Sequence, residues 1–199
     1  MYARIVQFTG ATNVDGGVEF VRDTVTPLIR QQHGYRGMIA SADRTAKVLG
    51  ILSSWDTEAD LDASNSAMLK VREEGAKIIG GELSVEAFEQ TVLVGNGPPR
   101  VGLSLLVRRI SQDPAVVEEN LEFFRTTVLP MIEASEGFMG ARQMINRATG
   151  VGLVGTVWAD AAALEAAAQV ADERRPLGEA RGITFGEQTK REILFVDLP

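Results

Sequence analysis

In the first half of the chain, segments with the hydrophobic pattern of β-strands alternate with segments that have the pattern of helices. Runs rich in β-branched residues at 3–8, 35–42, 47–55 and 85–94 predict four strands. Between them, apolar residues recur every three to four positions and predict two helices, one ending near Gln32 and one covering 57–79. The order β-α-β-β-α-β predicts an α+β fold of the ferredoxin-like type.

The second half of the chain repeats this pattern. Segments 24–37 and 127–140 share Thr, Val, Pro, Ile and two glycines, and they lie 103 positions apart. At the same offset Trp55 matches Trp158 and Gly75 matches Gly178. A register held over this distance indicates that one unit of about a hundred residues has been duplicated.

The duplication predicts two repeats joined by a short linker. We assign residues 1–95 to the first ferredoxin-like repeat, 96–99 to a linker of turn-forming residues, and 100–199 to the second repeat. The second repeat is expected to open with a strand at 100–107, which leaves about five extra residues in the connection that follows it. Pro27 and Pro130 lie inside the first helix of each repeat and are expected to kink it or to tighten its last turn.

A four-stranded sheet with both helices on one face leaves its other face uncovered. Alternating apolar residues make that face unsuited to water, and a second, identical sheet is the simplest cover. We therefore expect an intrachain pseudo-dimer around one interior space, with further pairing into a homodimer left open. The Ala-rich helix at 161–171 buries less than its counterpart, so the two ends of the barrel are expected to differ in width.

The repeated motif also resembles a known superfamily. In both halves a proline near the end of the first helix is followed, after six residues, by Gly-aromatic-x-Gly. The hairpin that comes next ends in Trp, and a capped helix follows it. This arrangement resembles the dimeric α/β-barrel superfamily, most closely its antibiotic biosynthesis monooxygenase-like branch, over almost the whole chain. The resemblance implies the fold but not the activity. Members of the superfamily catalyse cofactor-independent oxygenation, haem degradation or isomerisation, and some have no known reaction.

Composition narrows the classes of function. A net charge of −7 with scattered Lys and Arg argues against a nucleic-acid partner. No apolar run reaches the roughly 20 residues that span a bilayer, and the start has no signal-peptide layout, so we expect a cytoplasmic protein without a membrane partner. The lack of cysteine removes thiolate metal sites, and a single histidine, His33, removes multi-histidine ones.

Four residues are candidates for a small-molecule site. Trp55 and Trp158 end matching strands and could flank a flat aromatic ligand, although large aromatics at strand ends also serve as core residues. His33 could act as a catalytic base, or could only stabilise the C-terminal end of a helix. Arg142 could stabilise an anionic ligand inside the barrel, or could reach solvent at the sheet margin.

The resemblance also bears on cofactors. Haem-degrading members use a histidine on or near the second helix as the iron ligand, and segments 56–80 and 160–182 contain no histidine. No glycine-rich phosphate loop follows a predicted strand. We therefore expect neither a metal nor another cofactor.

Together these features favour a cofactor-independent monooxygenase-like enzyme that acts on a hydrophobic, aromatic or phenol-like ligand in the barrel cavity. In that mechanism the protein deprotonates the ligand, stabilises the anion with Arg or amide donors, and lets it react with dioxygen in a dry pocket. Two alternatives stay open: a non-catalytic ligand-binding or stress-related barrel, and a structural oligomerisation module.

Overall fold

The computed structural model of the protein describes residues 1–198, and contacts divide them into two compact units. The first unit comprises Met1–Phe88 together with the chain from Arg191 onward, and the second comprises Glu89–Lys190. These boundaries differ from those of the sequence repeats, because the last strand of each repeat is shared between the two units.

The first repeat has the element order that its hydrophobic pattern predicts. Its elements are β1 (Tyr2–Thr9), α1 (Val14–Phe20), α2 (Thr26–Ile29), β2 (Tyr35–Asp43), β3 (Val48–Trp55), α3 (Glu58–Ile79) and β4 (Glu82–Gly95). In the first unit, β3 pairs antiparallel with both β1 and β2. Thr57 caps α3, because its side chain accepts a hydrogen bond from the backbone N–H of Asp60.

The second repeat contains the same elements. They are β5 (Ser104–Ser111), α4 (Val117–Phe123), α5 (Leu129–Glu133), β6 (Phe138–Ile145), β7 (Val151–Trp158), α6 (Ala161–Glu173), α7 (Arg175–Glu179) and β8 (Thr184–Asp197). In the second unit, β7 pairs antiparallel with β5 and β6, and β6 pairs with the later residues of β4. The C-terminal residues of β8 pair with β2 in the first unit.

The hydrogen-bonded order of the eight strands, β1-β3-β2-β8-β5-β7-β6-β4, closes into a barrel. The predicted α+β class, the two ferredoxin-like repeats and the intrachain barrel are thereby confirmed. Within residues 1–198, no helix has the length and apolar character needed to cross a membrane.

Each repeat contains a π-helical turn that ends two residues before the repeated proline, Pro27 or Pro130. Residues Val21–Val25 and Phe124–Val128 form these wider turns, and in the first the backbone N–H of Thr26 bonds to the carbonyl of Val21. A proline lacks the N–H for an α-helical bond, and its ring clashes with the carbonyl four residues earlier, so the helix accommodates it by widening. The last turn, after the proline, closes with i→i+3 bonds from the Gln32 N–H to the Ile29 carbonyl and from the Ser135 N–H to the Ile132 carbonyl, which is the tightening that was expected there.

The first strand of the second repeat begins four residues later than expected. It spans Ser104–Ser111 rather than 100–107, because Gly102 adopts a φ of 89°, which interrupts an extended chain. Tyr2 pairs with Trp55 and Ser104 with Trp158, so the first strands match at an offset of 102 residues. The helices match at 103, so the following connection is longer by one residue rather than about five.

We expect Gly17→Ala to destabilise the first unit. A Cβ at Gly17 would lie 2.7 Å from a side-chain carbon of Ile79 and 2.8 Å from one of Leu49. Overpacking of this kind costs about 1–3 kcal/mol, and it outweighs the better helix propensity of alanine. Urea denaturation should show a lower free energy of unfolding for Gly17→Ala, whereas the exposed change Glu19→Ala should alter it by no more than about 0.5 kcal/mol. Equal or greater stability of Gly17→Ala would contradict this packing.

Candidate functional site

The second unit contains a cavity of about 160 Å³ between its sheet and its helices. Strands β5, β6, β7 and β8 provide one wall, and helices α4, α5, α6 and α7 contribute to the other. Apolar side chains dominate the lining, among them Leu106, Ile110, Phe124, Val128, Ile132 and Val154. Met131 and Leu177 also line it and are 38% and 48% exposed, so the cavity meets solvent at these residues.

The strand alternation places this cavity on the helix-covered face of the sheet. Along β5 it is lined by the alternate residues Leu106, Arg108 and Ile110. The sequence had led us to expect a ligand in the interior space of the barrel. The cavity instead lies under the helices, and the second repeat supplies all of its described lining, from Leu106 to Gln188.

Trp158 closes one side of the cavity and is itself held firmly. It is 2% exposed, and its indole N–H donates to the hydroxyl of Thr156 over 2.9 Å. The ring meets Phe138 edge to face, with centroids 6.0 Å apart. These contacts fix the orientation of the indole, so it can form a rigid aromatic wall for a ligand.

Two glutamine side chains bring amide groups to the cavity. The Oε1 atom of Gln188 is buried and has no hydrogen-bond partner within residues 1–198. Gln143 is 3% exposed, and its Oε1 accepts only a long 3.4 Å bond from the hydroxyl of Thr91. Buried polar groups are normally paired, so these amides have capacity to bind a polar group of a ligand.

A polar cluster lies at another edge of the cavity. The side-chain amide of Asn120 donates to Gln112 Oε1 over 2.6 Å and accepts from Arg181 Nε over 3.0 Å. Arg181 also donates to Glu119 and stacks over the Phe123 ring, 4.6 Å from its centroid. These bonds tie the segment before β8 to α4, and they therefore position Phe123 in the cavity wall.

Three arginines contribute to the lining. Arg108 forms an ion pair with Asp172 of α6, and its side chain is 14% exposed. Arg175 pairs with Glu179 and lies over the Phe185 ring. Arg174 is half-buried, and its guanidinium makes no hydrogen bond or ion pair with the residues that the structure describes. Because carboxylates pair with Arg108 and Arg175, Arg174 supplies the net positive charge of the lining.

The lining contains no general base. None of the described residues around the cavity is an Asp, Glu, His, Lys or Tyr. No cluster of three or more His, Cys, Asp or Glu residues suited to a metal ion occurs in the described chain either. The arrangement can bind and stabilise an anion, but its own side chains cannot readily remove a proton.

The corresponding space in the first unit is much smaller, about 50 Å³. Met68 of α3 is buried there, whereas the matching residue of α6 is Ala171. Ile79, which is 1% exposed, likewise corresponds to Gly182. Larger side chains thus fill the first unit, and the Ala-rich helix that suggested unequal widths coincides with the larger cavity.

His33 lies on the surface of the first unit. Its side chain is 93% exposed, and Nδ1 lies 2.6 Å from Oδ1 of Asp60 near the start of α3. The hydrogen bond to Asp60, followed by the charge of that carboxylate, raises the pKa of His33. It lines neither of the two cavities, so its catalytic role stays a prediction without geometric support.

Arg142 and Trp55 are also placed away from the lining residues. Successive side chains of β6 point to opposite faces of the sheet. Gln143 faces the cavity, so its neighbour Arg142 projects from the opposite face. Burial lowers the pKa of Arg142 to about 10. Trp55 is fully buried, donates to Ser53 over 3.0 Å and packs edge to face on Tyr35. Of the four candidates, only Trp158 lines a described cavity.

Sequence reasoning missed Arg108, Asn120 and Gln188. The predicted strand at 100–107 leaves Arg108 in the connection that follows, whereas the structure places it inside β5. Alignment of the first strands at the offset of 102 would have matched it with Val6, inside a strand. Asn120 stands where the first repeat has the buried Gly17, and this difference was visible in the sequence.

The chain is similar in sequence to some known proteins and similar only in fold to others. No family model matches the chain. It is 26% identical to the uncharacterized protein Rv2557 of Mycobacterium tuberculosis over 151 residues, which cover 75% of this chain and 67% of that protein. It is 29% identical to Rv2558 of the same organism over 134 residues, covering 67% and 57% of the two chains.

The solved structures it resembles are more distant in sequence. An anthrone oxidase-like protein superposes with a TM-score of 0.70 at 14% identity, covering 99% of this chain and 92% of the other. A Listeria monocytogenes ferredoxin fold protein related to antibiotic biosynthesis monooxygenases gives 0.56 at 8% identity, covering 97% and 95%. The chain has the fold of the antibiotic biosynthesis monooxygenase-like proteins. At these identities the likeness establishes the fold, and the resemblance seen in the repeated motif is confirmed at that level.

A further structure extends this agreement. A monooxygenase-like protein from Listeria innocua superposes with a TM-score of 0.57 at 9% identity, covering 96% of this chain and 94% of the other. The match again spans both repeats, so the duplicated barrel as a whole is shared.

We expect the ion pair at His33 to be visible in a proton NMR titration, which the single histidine makes unambiguous. The pKa of His33 should lie above the usual value of about 6.5 and should fall toward it in Asp60→Asn. Because the folded pKa is raised, the stabilisation is fully present below the unfolded pKa and is lost as pH rises through the folded pKa. Asp62→Asn, on the same helix, is the control and should leave the titration unchanged. An identical His33 pKa in Asp60→Asn would contradict the pair.

Proposed function

We propose that the chain is a monooxygenase-like enzyme that binds one small, phenol-like aromatic molecule in the cavity of the second unit. The observation that carries this proposal is an apolar cavity of about 160 Å³ that has an aromatic wall at Trp158 and guanidinium and amide groups on its lining. The fold likeness to monooxygenase-like proteins supports the same class of function.

The size of the cavity limits the ligand to a single ring. An apolar cavity of about 150 Å³ is enough to bind benzene. The space of about 160 Å³ therefore suits a monocyclic aromatic, while a fused polycyclic ligand would project through the opening at Met131 and Leu177. The rigid Trp158 ring provides a face or edge for a flat molecule to pack against.

The polar lining favours a weak acid bound as its anion. Arg108 and Arg174 can donate to a phenolate oxygen, and charge-assisted bonds of this kind are stronger than neutral ones. The positive charge of these guanidinium groups lowers the pKa of a bound phenol and opposes the rise that apolar surroundings cause. Because no base lines the cavity, the hydroxyl proton leaves to solvent through the opening.

The bound anion is then the reactant toward dioxygen. A ring C–H carbon of the phenol becomes a carbonyl carbon with one oxygen atom of dioxygen. The second oxygen atom leaves as water with the C–H hydrogen and one proton taken back from solvent, so the products are a quinone and water. The protein contributes orientation, exclusion of water and stabilisation of the anion by its arginines and amides.

Ala171→Met should close the site. It places in the second unit the side chain that Met68 contributes to the first, where the cavity is about 50 Å³. We expect phenol to bind at least about tenfold more weakly to this variant in isothermal titration calorimetry, a loss of about 1.4 kcal/mol or more. Ala162→Met, on the same helix but outside the cavity lining, is the matched control and should bind phenol like the unmodified chain. Unchanged phenol affinity in Ala171→Met would place the ligand elsewhere.

Arg108→Leu should weaken binding of the ionised ligand selectively. With 4-nitrophenol, whose ionised form absorbs visible light, we expect about a tenfold loss of affinity for the anion and little change for the neutral form. Asp172→Asn should instead tighten anion binding, because it removes the carboxylate that pairs with Arg108. Arg100→Leu, an exposed change with the same loss of charge, is the control. Equal losses for both forms of the ligand would show that Arg108 acts only by packing.

A non-catalytic ligand-binding protein is the second candidate. It is favoured by the absence of a carboxylate or histidine from the described lining. An oxygen electrode with phenol at saturating concentration separates the two. Consumption of one dioxygen per quinone formed supports the enzyme, whereas phenol binding without dioxygen consumption supports the binding protein.

A further inference from the structure

The small cavity of the first unit combines an apolar lining with two arginines. Its volume is about 50 Å³, and Arg4 of β1, Ser53 of β3 and Arg72 of α3 provide its polar groups. The remaining lining residues are apolar, except for the helical Gly75. No carboxylate is among the described residues that line it.

Arg4 is a buried cation that no carboxylate of the described residues contacts directly. It is 5% exposed, and two of its guanidinium nitrogens donate over 2.7 Å to the backbone carbonyl of Leu61 and the hydroxyl of Ser64. It forms no ion pair with the residues that the structure describes. Burial, followed by the positive charge of Arg72, lowers the pKa of Arg4 to about 10.

Arg72 adds a second positive charge at the same cavity. Its guanidinium donates to the backbone and side-chain oxygens of Asn65, over 2.9 Å and 2.5 Å, and burial lowers its pKa. All of these hydrogen-bond partners are neutral, and the carboxylate of Asp62 acts on Arg4 only from beyond ion-pair distance, where it partly offsets the lowering of the Arg4 pKa. Buried charges are normally paired, and two like charges beside one cavity favour an anion there.

We infer that this cavity binds a short-chain aliphatic monocarboxylate, with its carboxylate between Arg4 and Arg72 and its alkyl group against the apolar lining. A guanidinium presents parallel N–H donors that match the two oxygens of a carboxylate. The hydroxyl of Ser53 accepts from Trp55, which leaves its own proton free to donate to the anion. Val25, Ile29 and Met68 provide the surface for the alkyl group.

The volume sets the length of the acid. The space of about 50 Å³ is roughly a third of the volume that binds benzene, so only the shortest aliphatic acids suit it. Acetate and propionate meet this limit, and an aromatic acid exceeds it. The ligand is therefore of a different class from the aromatic one proposed for the second unit.

This site belongs to the first repeat alone. The second repeat has Leu106 where the first has Arg4, and its own first-strand arginine, Arg108, corresponds to Val6 and is paired with Asp172. The proposed carboxylate site is therefore independent of the proposed aromatic site, and either can fail without the other.

Isothermal titration calorimetry with sodium propionate tests the site, with total sodium held constant by sodium chloride. We expect saturable, one-to-one binding that persists at high chloride concentration and weakens at least about tenfold in Arg72→Leu. Arg4→Leu, which copies the second repeat, should abolish it. Arg22→Leu removes an exposed charge from the same unit and should change the affinity by less than about twofold.

Thermal unfolding gives a second readout, because a ligand that binds only the folded chain raises its melting temperature. Propionate should raise it for the unmodified chain and Arg22→Leu, but not for Arg72→Leu. The proposal is overturned if chloride stabilises as well as propionate, or if Arg72→Leu binds propionate normally. Tighter binding of inorganic phosphate than of propionate would also overturn it, since the site would then not recognise a carboxylate with an alkyl group.

Discussion

Each helical layer has to fill the volume above its sheet with side chains, and the two repeats of this chain meet that requirement differently. In the first unit Met68 and Ile79 are buried in this layer and about 50 Å³ is left. In the second, Ala171 and Gly182 occupy the matching positions and about 160 Å³ is left. Because protein interiors are normally packed to crystal-like density, an opening of this size is the feature of the fold that most directly suggests a ligand.

The frame around that volume is common to both repeats. An indole at the end of the third strand donates to a hydroxyl two residues earlier, Ser53 for Trp55 and Thr156 for Trp158. Each indole also meets an aromatic ring of the neighbouring strand edge to face. A proline with a π-helical turn before it shapes the first helix in both copies. Since this frame does not depend on the residues of the second helix, that helix could change from large side chains to alanine without loss of the fold.

The two repeats also differ in the charged side chains that line their cavities. The first unit places Arg4 and Arg72 beside a small space, with hydrogen bonds to neutral partners only. The second replaces Arg4 by Leu106 and Val6 by Arg108, which pairs with Asp172 at the side of a larger space. A duplicated fold thus presents two cavities of different size and different charge balance. Their ligands are accordingly expected to differ in class.

The sequence by itself determined the element order, the duplication and the barrel, because hydrophobic period and a gapless repeat depend only on local pattern. It also indicated the unequal second helices, through the alanines at 161–171. It could not determine which candidates meet: His33 is at the surface, Arg142 projects from the opposite face to Gln143, and only Trp158 lines a cavity. Those outcomes depend on strand register and on side-chain volume between layers. A one-residue shift in register exchanges the two faces of a strand, and only the tertiary structure fixes that register.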